Sequence, residues 1–150
     1  MAIKQSEFAK GGNQSLRPHS AGAVHVTRFV YPVGVAAQAL GAGDILEIGE
    51  LPPFCRIIDA KLYTNGTFTG LTADVGLMTG AYGDALDVSR TAGKQLYEAA
   101  DLTTLARITK SEPLKIAPVD DLSRGIGITV SAAVPAAAGK YIVLELSYVQ

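Results

Sequence analysis

The residues of this chain that could do chemistry are few and scattered. Histidine occurs twice, as His19 and His25, and neither has a second imidazole, a cysteine cluster or a His-x-Glu spacing near it. Zinc in proteins is held by three or four such ligands at short, regular spacings. The sequence therefore predicts no zinc site, and we interpret His25 as a hydrogen-bonded core or surface residue at the start of a strand.

The nucleophiles and carboxylates are equally isolated. Cys55 is the single cysteine and follows Pro52-Pro53-Phe54, where we interpret it as a small buried hydrophobe. No serine stands in a Gly-x-Ser-x-Gly motif. The carboxylates that a calcium loop of about six oxygens could recruit are Asp84, Asp87 and the pair Asp120-Asp121. We interpret the pair as the cap of a turn, and expect no enzyme activity, no cofactor and no metal.

A bare Gly-x-Gly motif stands at Gly125-Ile126-Gly127. It lies inside an alternating strand pattern and lacks the third glycine and the following helix of a dinucleotide-binding turn. We therefore interpret it as a place where two backbones pack closely.

The composition is apolar and weakly charged. Hydrophobic residues make up 48% of the 150 residues and charged residues 18%, with a formal net charge of −1. Globular domains average roughly 25% charged residues, so this chain is expected to bury surface against a partner, as a homo-oligomer or an assembly component. The near-neutral charge argues against nucleic-acid binding. Apolar runs such as Ala132–Ala138 are too short for a membrane span, and the first residues lack the apolar core of a secretory signal.

The first 22 residues differ from the rest of the chain in composition and in hydrophobic pattern. They contain Gly11-Gly12, Pro18 and Gly22, and their apolar residues show no period. Such a segment predicts an extended N-terminal arm (residues 1–22) joined to a single folded domain (residues 23–150). The arm carries a net charge of +2, which fits either an ordinary solvated tail or an arm that reaches an acidic partner surface. In the second case, its isolated apolar residues could anchor it on that surface.

Beyond the arm, alternating apolar segments follow one another at intervals of roughly 8–15 residues, which is typical of an antiparallel β-sandwich or barrel. The strand predictions cover Val24–Tyr31, Ile45–Leu51, Arg56–Thr64, the residues around Val75 and Leu77, Leu114–Ile116, Gly125–Val130 and Tyr141–Val149. In the last strand we expect Ile142, Leu144, Leu146 and Tyr148 to point inward.

Four local features carry more specific predictions. A slip in the alternation near Thr27-Arg28 indicates a β-bulge, and Ile58, Ala60 and Leu62 are predicted to share a core face. Asn65-Gly66 is the usual signal for a type I′ hairpin. The segment Ala92–Ala106, with loosely spaced apolar residues, predicts a short helix or helical loop, the only one expected in the chain.

The order of elements in two segments resembles a known family. Gly43–Thr64 reads as two strands joined by the stiff Pro52-Pro53 corner, and Ala73–Gly80 adds a third strand. This order is similar to that of the jelly-roll cement or decoration proteins of tailed bacteriophages. The resemblance implies an all-β, jelly-roll-like antiparallel sandwich without a cofactor, located on the outer capsid surface of the virion and made in the host cytoplasm.

The resemblance also implies partners. Such a protein binds the major capsid protein, clamps neighbouring subunits and commonly forms a homotrimer, with no nucleic acid or membrane involved. The arm residues that we expect to contact the capsid are Lys4, Phe8, Lys10, Leu16 and Arg17. Deletion of residues 1–22 is expected to leave a folded oligomer that binds capsids weakly.

An alternative function is a ligand-binding sandwich domain of a virion, for a glycan or a receptor. Sugars stack on exposed aromatic rings, and the chain has no tryptophan. The plausible platforms are Tyr31, Tyr63, Tyr82 and Tyr97, most of which we interpret as core or interface residues.

Overall fold

The computed structural model describes residues 1–10, 22–103 and 121–150, together with the backbone of residues 106–107. These residues form nine strands, one four-residue helix and a short 3₁₀ helix at Ala36–Gln38. The bounds are β1 Ile3–Gln5, α1 Glu7–Lys10, β2 His25–Pro32, β3 Ile45–Leu51, β4 Arg56–Asn65, β5 Thr72–Leu77, β6 Tyr97–Asp101, β7 Ala106–Arg107, β8 Arg124–Val130 and β9 Tyr141–Val149. None of the described helices is long and apolar enough to cross a membrane.

The strands form two sheets that face each other. Sheet A has the order β1-β3-β8-β5-β6, and sheet B has the order β2-β9-β4-β7. Without β1, these are the two four-stranded, antiparallel sheets of a jelly roll, in which the chain crosses repeatedly between sheets. The predicted all-β, jelly-roll-like sandwich is confirmed.

The core lies between the two sheets and is filled by the inward-facing side chains of strands in which inward and outward residues alternate. In β9, Ile142, Leu144, Leu146 and Tyr148 are fully buried, while Glu145 and Ser147 are half-buried on the other face. The Pro52-Pro53 corner carries the chain from β3 in sheet A to β4 in sheet B, and Cys55 is buried just after it. The predictions for β9, for the corner and for the cysteine are confirmed.

The predicted bulge in the first long strand is wrong. β2 pairs with β9 in unbroken register from His25↔Tyr148 to Pro32↔Tyr141. The apparent slip arises because Val24 and Val26 lie exposed on the outer face, whereas Phe29 is buried on the inner one. The apolar residues therefore lie on the outer face at the start of the strand and on the inner face further along, while the strand itself continues without interruption.

β4 contains a bulge that changes which isoleucine is buried. The register with β9 shifts between Ile57 and Asp59. Ile57 therefore joins Ala60 and Leu62 in the core, and Ile58 is only half-buried. The prediction of Ile58 as the core residue is wrong because a bulge inserts one residue and reverses the alternation.

The predicted hairpin at Asn65-Gly66 is also wrong. Gly66 does adopt a positive φ of 102°, but the next strand, β5, lies in the other sheet and does not pair with β4. Phe68 is 2% exposed, and burial of its ring in the core draws the chain across the sandwich. The glycine therefore begins a crossover between sheets.

The predicted helical segment is an edge strand in the part of it that the structure describes. Tyr97–Asp101 forms β6 and pairs with β5. Leu96, Tyr97 and Leu102 are buried, so their loose spacing reflects a strand and its flanking turns packing on the core. The predicted strand Leu114–Ile116 lies outside the described residues.

The first ten residues are packed elements, which corrects the prediction of an extended arm for this part of the chain. β1 pairs in parallel with β3, from Ile3↔Ile45 to Gln5↔Glu47. The Ser6 hydroxyl donates to Ile48 O at 2.7 Å, and Ala9 in α1 is buried. An edge strand offers unpaired backbone groups, and here the chain's own N-terminus satisfies them. Residues 11–21 lie outside the description.

The outer face of sheet A is covered by the chain itself, and glycines allow the close approach. Every residue of β3 is buried, because β1 pairs along the edge of this strand and the segment that follows β5 lies over the outer face of the sheet. A Cβ on Gly127 would lie 2.6 Å from Ala92 Cβ and 2.8 Å from Met78 Cγ. The structure thus confirms that the Gly-x-Gly motif serves close packing.

Candidate functional site

The residues singled out for possible chemistry do not converge. His25 is half-buried and its ring lies 6.1 Å from the Tyr148 ring, while Asp84 and Asp87 accept backbone N–H groups in turns of one loop. No group of three or more His, Cys, Asp or Glu side chains suited to a metal occurs among the described residues. His19 and Asp120 lie outside the description, and Asp121 is exposed.

The strongest polar feature is an ion pair that the sequence reasoning missed. Glu47 of β3 and Arg90 are joined by two hydrogen bonds, Nη2 to Oε1 at 2.5 Å and Nη1 to Oε2 at 3.2 Å. Both side chains are 0% exposed. Such a forked geometry is the strong form of the arginine–carboxylate contact, and it fixes both partners.

Arg90 also organises the loop that precedes it. Its Nε donates to Thr79 O at 2.9 Å, and its Nη1 donates to Asp84 O at 2.7 Å. Glu47 Oε1 accepts the Gly83 N–H at 3.3 Å. The guanidinium therefore lies under the loop formed by residues 79–90 and holds it on the outer face of sheet A.

The N-terminus is tied into the same network. The Gln5 amide donates to Glu47 Oε2 at 3.0 Å and to Gly83 O at 2.8 Å. Tyr82 donates to Phe8 O at 3.1 Å, and burial, followed by the nearby Glu50 and Glu47, raises the pKa of its hydroxyl. β1, β3 and the loop are thus joined through buried polar groups.

One sequence signal could have indicated this site. A Cβ on Gly125 would collide with Glu47 Oε1 and would lie 3.0 Å from Arg90 Nη2. The first glycine of the Gly-x-Gly motif therefore leaves room for the ion pair, and the second leaves room for the apolar packing beside it. A glycine pair in a strand indicates a close neighbour without naming it.

The loop presents apolar side chains to solvent. Leu86 is 92% exposed and Val88 is 70% exposed. Asp84 Oδ1 accepts the N–H groups of Leu86 and Asp87, and Asp87 Oδ1 accepts the Ser89 N–H at 3.0 Å. Two side-chain-capped turns and the buried arginine therefore hold two exposed aliphatic groups in a defined position.

The arm residues that were predicted to contact the capsid do not share one surface in the structure. Phe8 packs inward, with its ring 5.3 Å from the Phe29 ring in an edge-to-face contact. Lys10 is exposed and lies 3.5 Å from Glu7, and Lys4 is half-buried on β1. Leu16 and Arg17 lie outside the description. Phe8 therefore contacts the chain's own core, whereas the two lysines remain on the surface.

Asp44 holds the start of the N-terminal segment that carries these lysines. The Asp44 carboxylate accepts the Ala2 N–H and the Gly41 N–H, both at 2.8 Å. Partial burial opposes ionisation, but these two hydrogen bonds and the nearby positive charges lower the pKa of Asp44. The carboxylate is therefore charged at neutral pH and fixes the start of β1.

The outer face of sheet B carries no covering element among the described residues. Arg28 lies over the Tyr63 ring with 5.5 Å between Cζ and the centroid, and Val24 and Val26 are more than half exposed. This face mixes charged and apolar groups, which is typical of a surface that is solvated or forms modest contacts.

The tyrosines do not form a stacking platform. Tyr31 and Tyr97 lie in the core, Tyr63 is beneath Arg28, and Tyr82 is half-buried. Among the described tyrosines, Tyr141 is the most exposed, at 38%. The interpretation of Tyr31 and Tyr97 as core residues is confirmed.

Comparison with known proteins defines the class. No protein-family model matches the chain, and no curated protein sequence matches it. The chain is similar to a chain from the capsid of Ralstonia phage GP4, with 35% identity over 99% of this chain and 98% of that one and a TM-score of 0.85. A jelly-roll sandwich with this likeness is a structural protein of a phage virion.

The family follows from the same match. The chain belongs to the family of the Ralstonia phage GP4 capsid chain. Two more distant structures share the fold: a chain of the cyanophage Pam1 capsid asymmetric unit (17% identity, 90% of this chain and 91% of that one, TM-score 0.53), and a chain of the acid-stable capsid of the Helicobacter pylori bacteriophage KHP30 (10% identity, 87% and 90%, TM-score 0.50).

Proposed function

We propose that this chain is a capsid cement protein, which binds the outer surface of a phage head and clamps neighbouring major capsid subunits. The observation that carries the proposal is the end-to-end match to a phage capsid chain by a sandwich that completes its own core. A subunit that folds by itself can add to a shell that other subunits have already built.

The surface supports a docking role better than a shell-building one. Obligate protein–protein interfaces bury roughly 2,000–5,000 Å² or more, and their apolar composition resembles that of a domain core cut in half. Here the exposed large apolar residues of the described chain come from several different elements and loops: Met1, Val24, Val26, Val35, Phe54, Leu86, Val88, Leu122 and Tyr141. Several small apolar contacts suit a protein that touches more than one neighbour.

A cement protein stabilises the shell because its binding free energy is added at the boundaries between capsid subunits. A shell under internal pressure fails where neighbouring subunits part, and a bound cement subunit must be released before that boundary opens. In a homotrimer, the second and third contacts become intramolecular, so avidity exceeds the affinity of one contact by a factor of roughly 10²–10⁴. The proposal assigns no catalytic role to any residue.

Cosedimentation with emptied, expanded heads of the parent phage tests the proposal. We expect saturable binding at a fixed copy number per major capsid subunit, because the capsid lattice repeats one site. Heads lacking the protein are expected to break at a lower temperature or osmotic shock than heads reloaded with it. A folded chain that does not bind at any concentration would overturn the cement function.

The two lysines of the N-terminal segment, Lys4 and Lys10, are expected to contribute to this binding. Changing Lys4 and Lys10 together to glutamate should weaken head binding by roughly tenfold, since rim charges steer association, and the loss should shrink at high salt. The control changes Arg56 and Lys94 to glutamate, which alters the net charge equally on other parts of the surface. Equal binding by both double variants would remove the lysines from the interface.

A further inference from the structure

The exposed loop of sheet A has the form of a knob. We define the knob as residues 84–88, Asp-Ala-Leu-Asp-Val. Leu86 and Val88 project into solvent, and the loop is held by Arg90 and by two carboxylate-capped turns. A preorganised loop loses little conformational entropy when it docks. Most of the free energy gained by burying its apolar groups therefore appears as binding free energy.

A matching concavity lies elsewhere on the same chain. We define the hollow as the cavity of about 390 Å³ lined mainly by Phe68, Leu71, Ala133, Pro135, Ala137 and Lys140. This volume is within the range of roughly 300–1,000 Å³ found for ligand clefts. Ala133 and Ala137 are exposed at the hollow, so small side chains leave it open.

Lys140 gives the hollow a positive charge. The residue is 5% exposed; its ammonium donates to Pro135 O at 3.1 Å and lies 4.8 Å from the centroid of the Phe68 ring. Among the residues that the structure describes, no carboxylate pairs with Lys140. A carbonyl and a ring face hold a buried ammonium less well than a carboxylate does, so the hollow favours an anionic, apolar occupant.

The knob has this chemistry. It carries two carboxylates, Asp84 and Asp87, and no cation. Hydrogen bonds from the Ser89 hydroxyl and N–H lower the pKa of Asp87, so this carboxylate is charged at neutral pH. Two aliphatic side chains flanked by carboxylates complement apolar walls that contain one ammonium.

A single copy cannot bring its knob and its hollow together. The knob follows the C-terminal end of β5, and its anchor Arg90 contacts the start of β8 at Gly125. The hollow is formed before the start of β5, at Leu71, and after the end of β8, at Ala133. A strand of six or seven residues spans about 20 Å, so the two features lie at opposite ends of the sandwich.

We propose that the knob of one copy docks in the hollow of a second copy of this chain, with Leu86 and Val88 against its apolar walls and a knob carboxylate near Lys140. The contact joins two different patches, so it is heterologous and closes into a ring when its rotation allows. The inference rests on the self-association that the proposed function includes, and it assigns that association to particular residues.

Two surface variants test the contact. Leu86→Asp places a third carboxylate on the knob and removes its most exposed aliphatic group. Ala137→Asp places a carboxylate in the hollow, where it repels the knob and can pair with Lys140. Both positions are exposed, so folding should be unaffected, which circular dichroism and thermal unfolding can verify. Val26→Asp, at an exposed apolar residue on the outer face of sheet B, is the matched control.

Sedimentation velocity distinguishes the outcomes. We expect the wild type and Val26→Asp to form the same closed oligomer, and each of the other two variants to be monomeric, with affinity at least roughly thirtyfold weaker. An equimolar mixture of Leu86→Asp and Ala137→Asp should form heterodimers only, because the first keeps an intact hollow and the second an intact knob. A monomeric wild type, or wild-type oligomers of either single variant, would overturn the inference.

The failure of this contact can be told apart from the failure of the cement function. Loss of the cement function would appear as wild-type protein that does not bind heads, whatever its oligomeric state. If the variants are monomeric, they should still bind heads, with the lower occupancy expected when avidity is lost. Variants that keep the wild-type oligomer but do not bind heads would instead assign the knob to a capsid subunit and overturn the knob–hollow contact.

Discussion

Replacement of Arg90 by methionine is expected to lower the free energy of unfolding by about 3–5 kcal/mol, because it leaves the fully buried Glu47 carboxylate without its charge partner. For a domain of this size, that loss corresponds to a fall in melting temperature of roughly 6–20 °C. Urea unfolding followed by circular dichroism measures it directly. The chain has no tryptophan, so a fluorescence readout would depend on its tyrosines.

A double variant and a surface control make the result specific. Glu47→Leu together with Arg90→Met removes both charges, and its cost should be well below the sum of the two single costs. Lys94→Met removes the cation that lies 3.0 Å from Asp74 in a pair whose side chains are 55% and 25% exposed, and should cost less than about 1 kcal/mol. If Arg90→Met costs no more than Lys94→Met, the buried pair does not hold the loop.

Deletion of residues 1–10 is expected to destabilise the sandwich by about 3 kcal/mol, through lost strand pairing and loss of the partial burial of Phe8. The deletion removes the bond from the Ile45 N–H to Ala2 O and the bond from the Ser6 N–H to Glu47 O, each 3.0 Å long. It also removes the Gln5 amide from the buried ion pair. Hydrogen exchange should therefore rise both in β3 and in residues 79–90.

This expectation replaces the one drawn from the sequence, in which removal of residues 1–22 weakens capsid binding without affecting the fold. Because the first ten residues are packed, the deletion changes stability and binding together. The control is the double variant Lys4→Ala and Lys10→Ala, which alters the surface cations and leaves the packed contacts in place. A deletion variant with wild-type exchange in β3 would show that the N-terminal strand does not support the edge of sheet A.

The structure also explains which parts of the candidate surface the sequence could indicate. Lys10 is exposed, as its residue type indicates, and Lys4 is half-buried on β1; their contact with a capsid stays a prediction. Phe8 was assigned to a partner surface but lies against Phe29, since an isolated aromatic residue in a polar segment gives no sign of which surface covers it. Leu86 and Val88 stand in an irregular loop, where no period distinguishes an exposed apolar side chain from a buried one.

The class of fold and the local chemistry of several elements could be predicted from the amino-acid sequence. Alternation set the two faces of β9, the proline pair set the corner between β3 and β4, and the glycine pair in β8 indicated close packing. These are properties of neighbouring residues, since the pleat repeats every two positions and Pro and Gly act on their own backbone.

Which distant groups meet could be seen only in the folded chain. Glu47 and Arg90 are 43 positions apart, and their pairing depends on a loop folding back over a sheet whose glycines leave room for it. The bulge in β4, the crossover after Gly66 and the docking of β1 likewise depend on which strand lies alongside and which ring fills the core. Such choices are made by packing between segments remote in sequence, so no local pattern contains them.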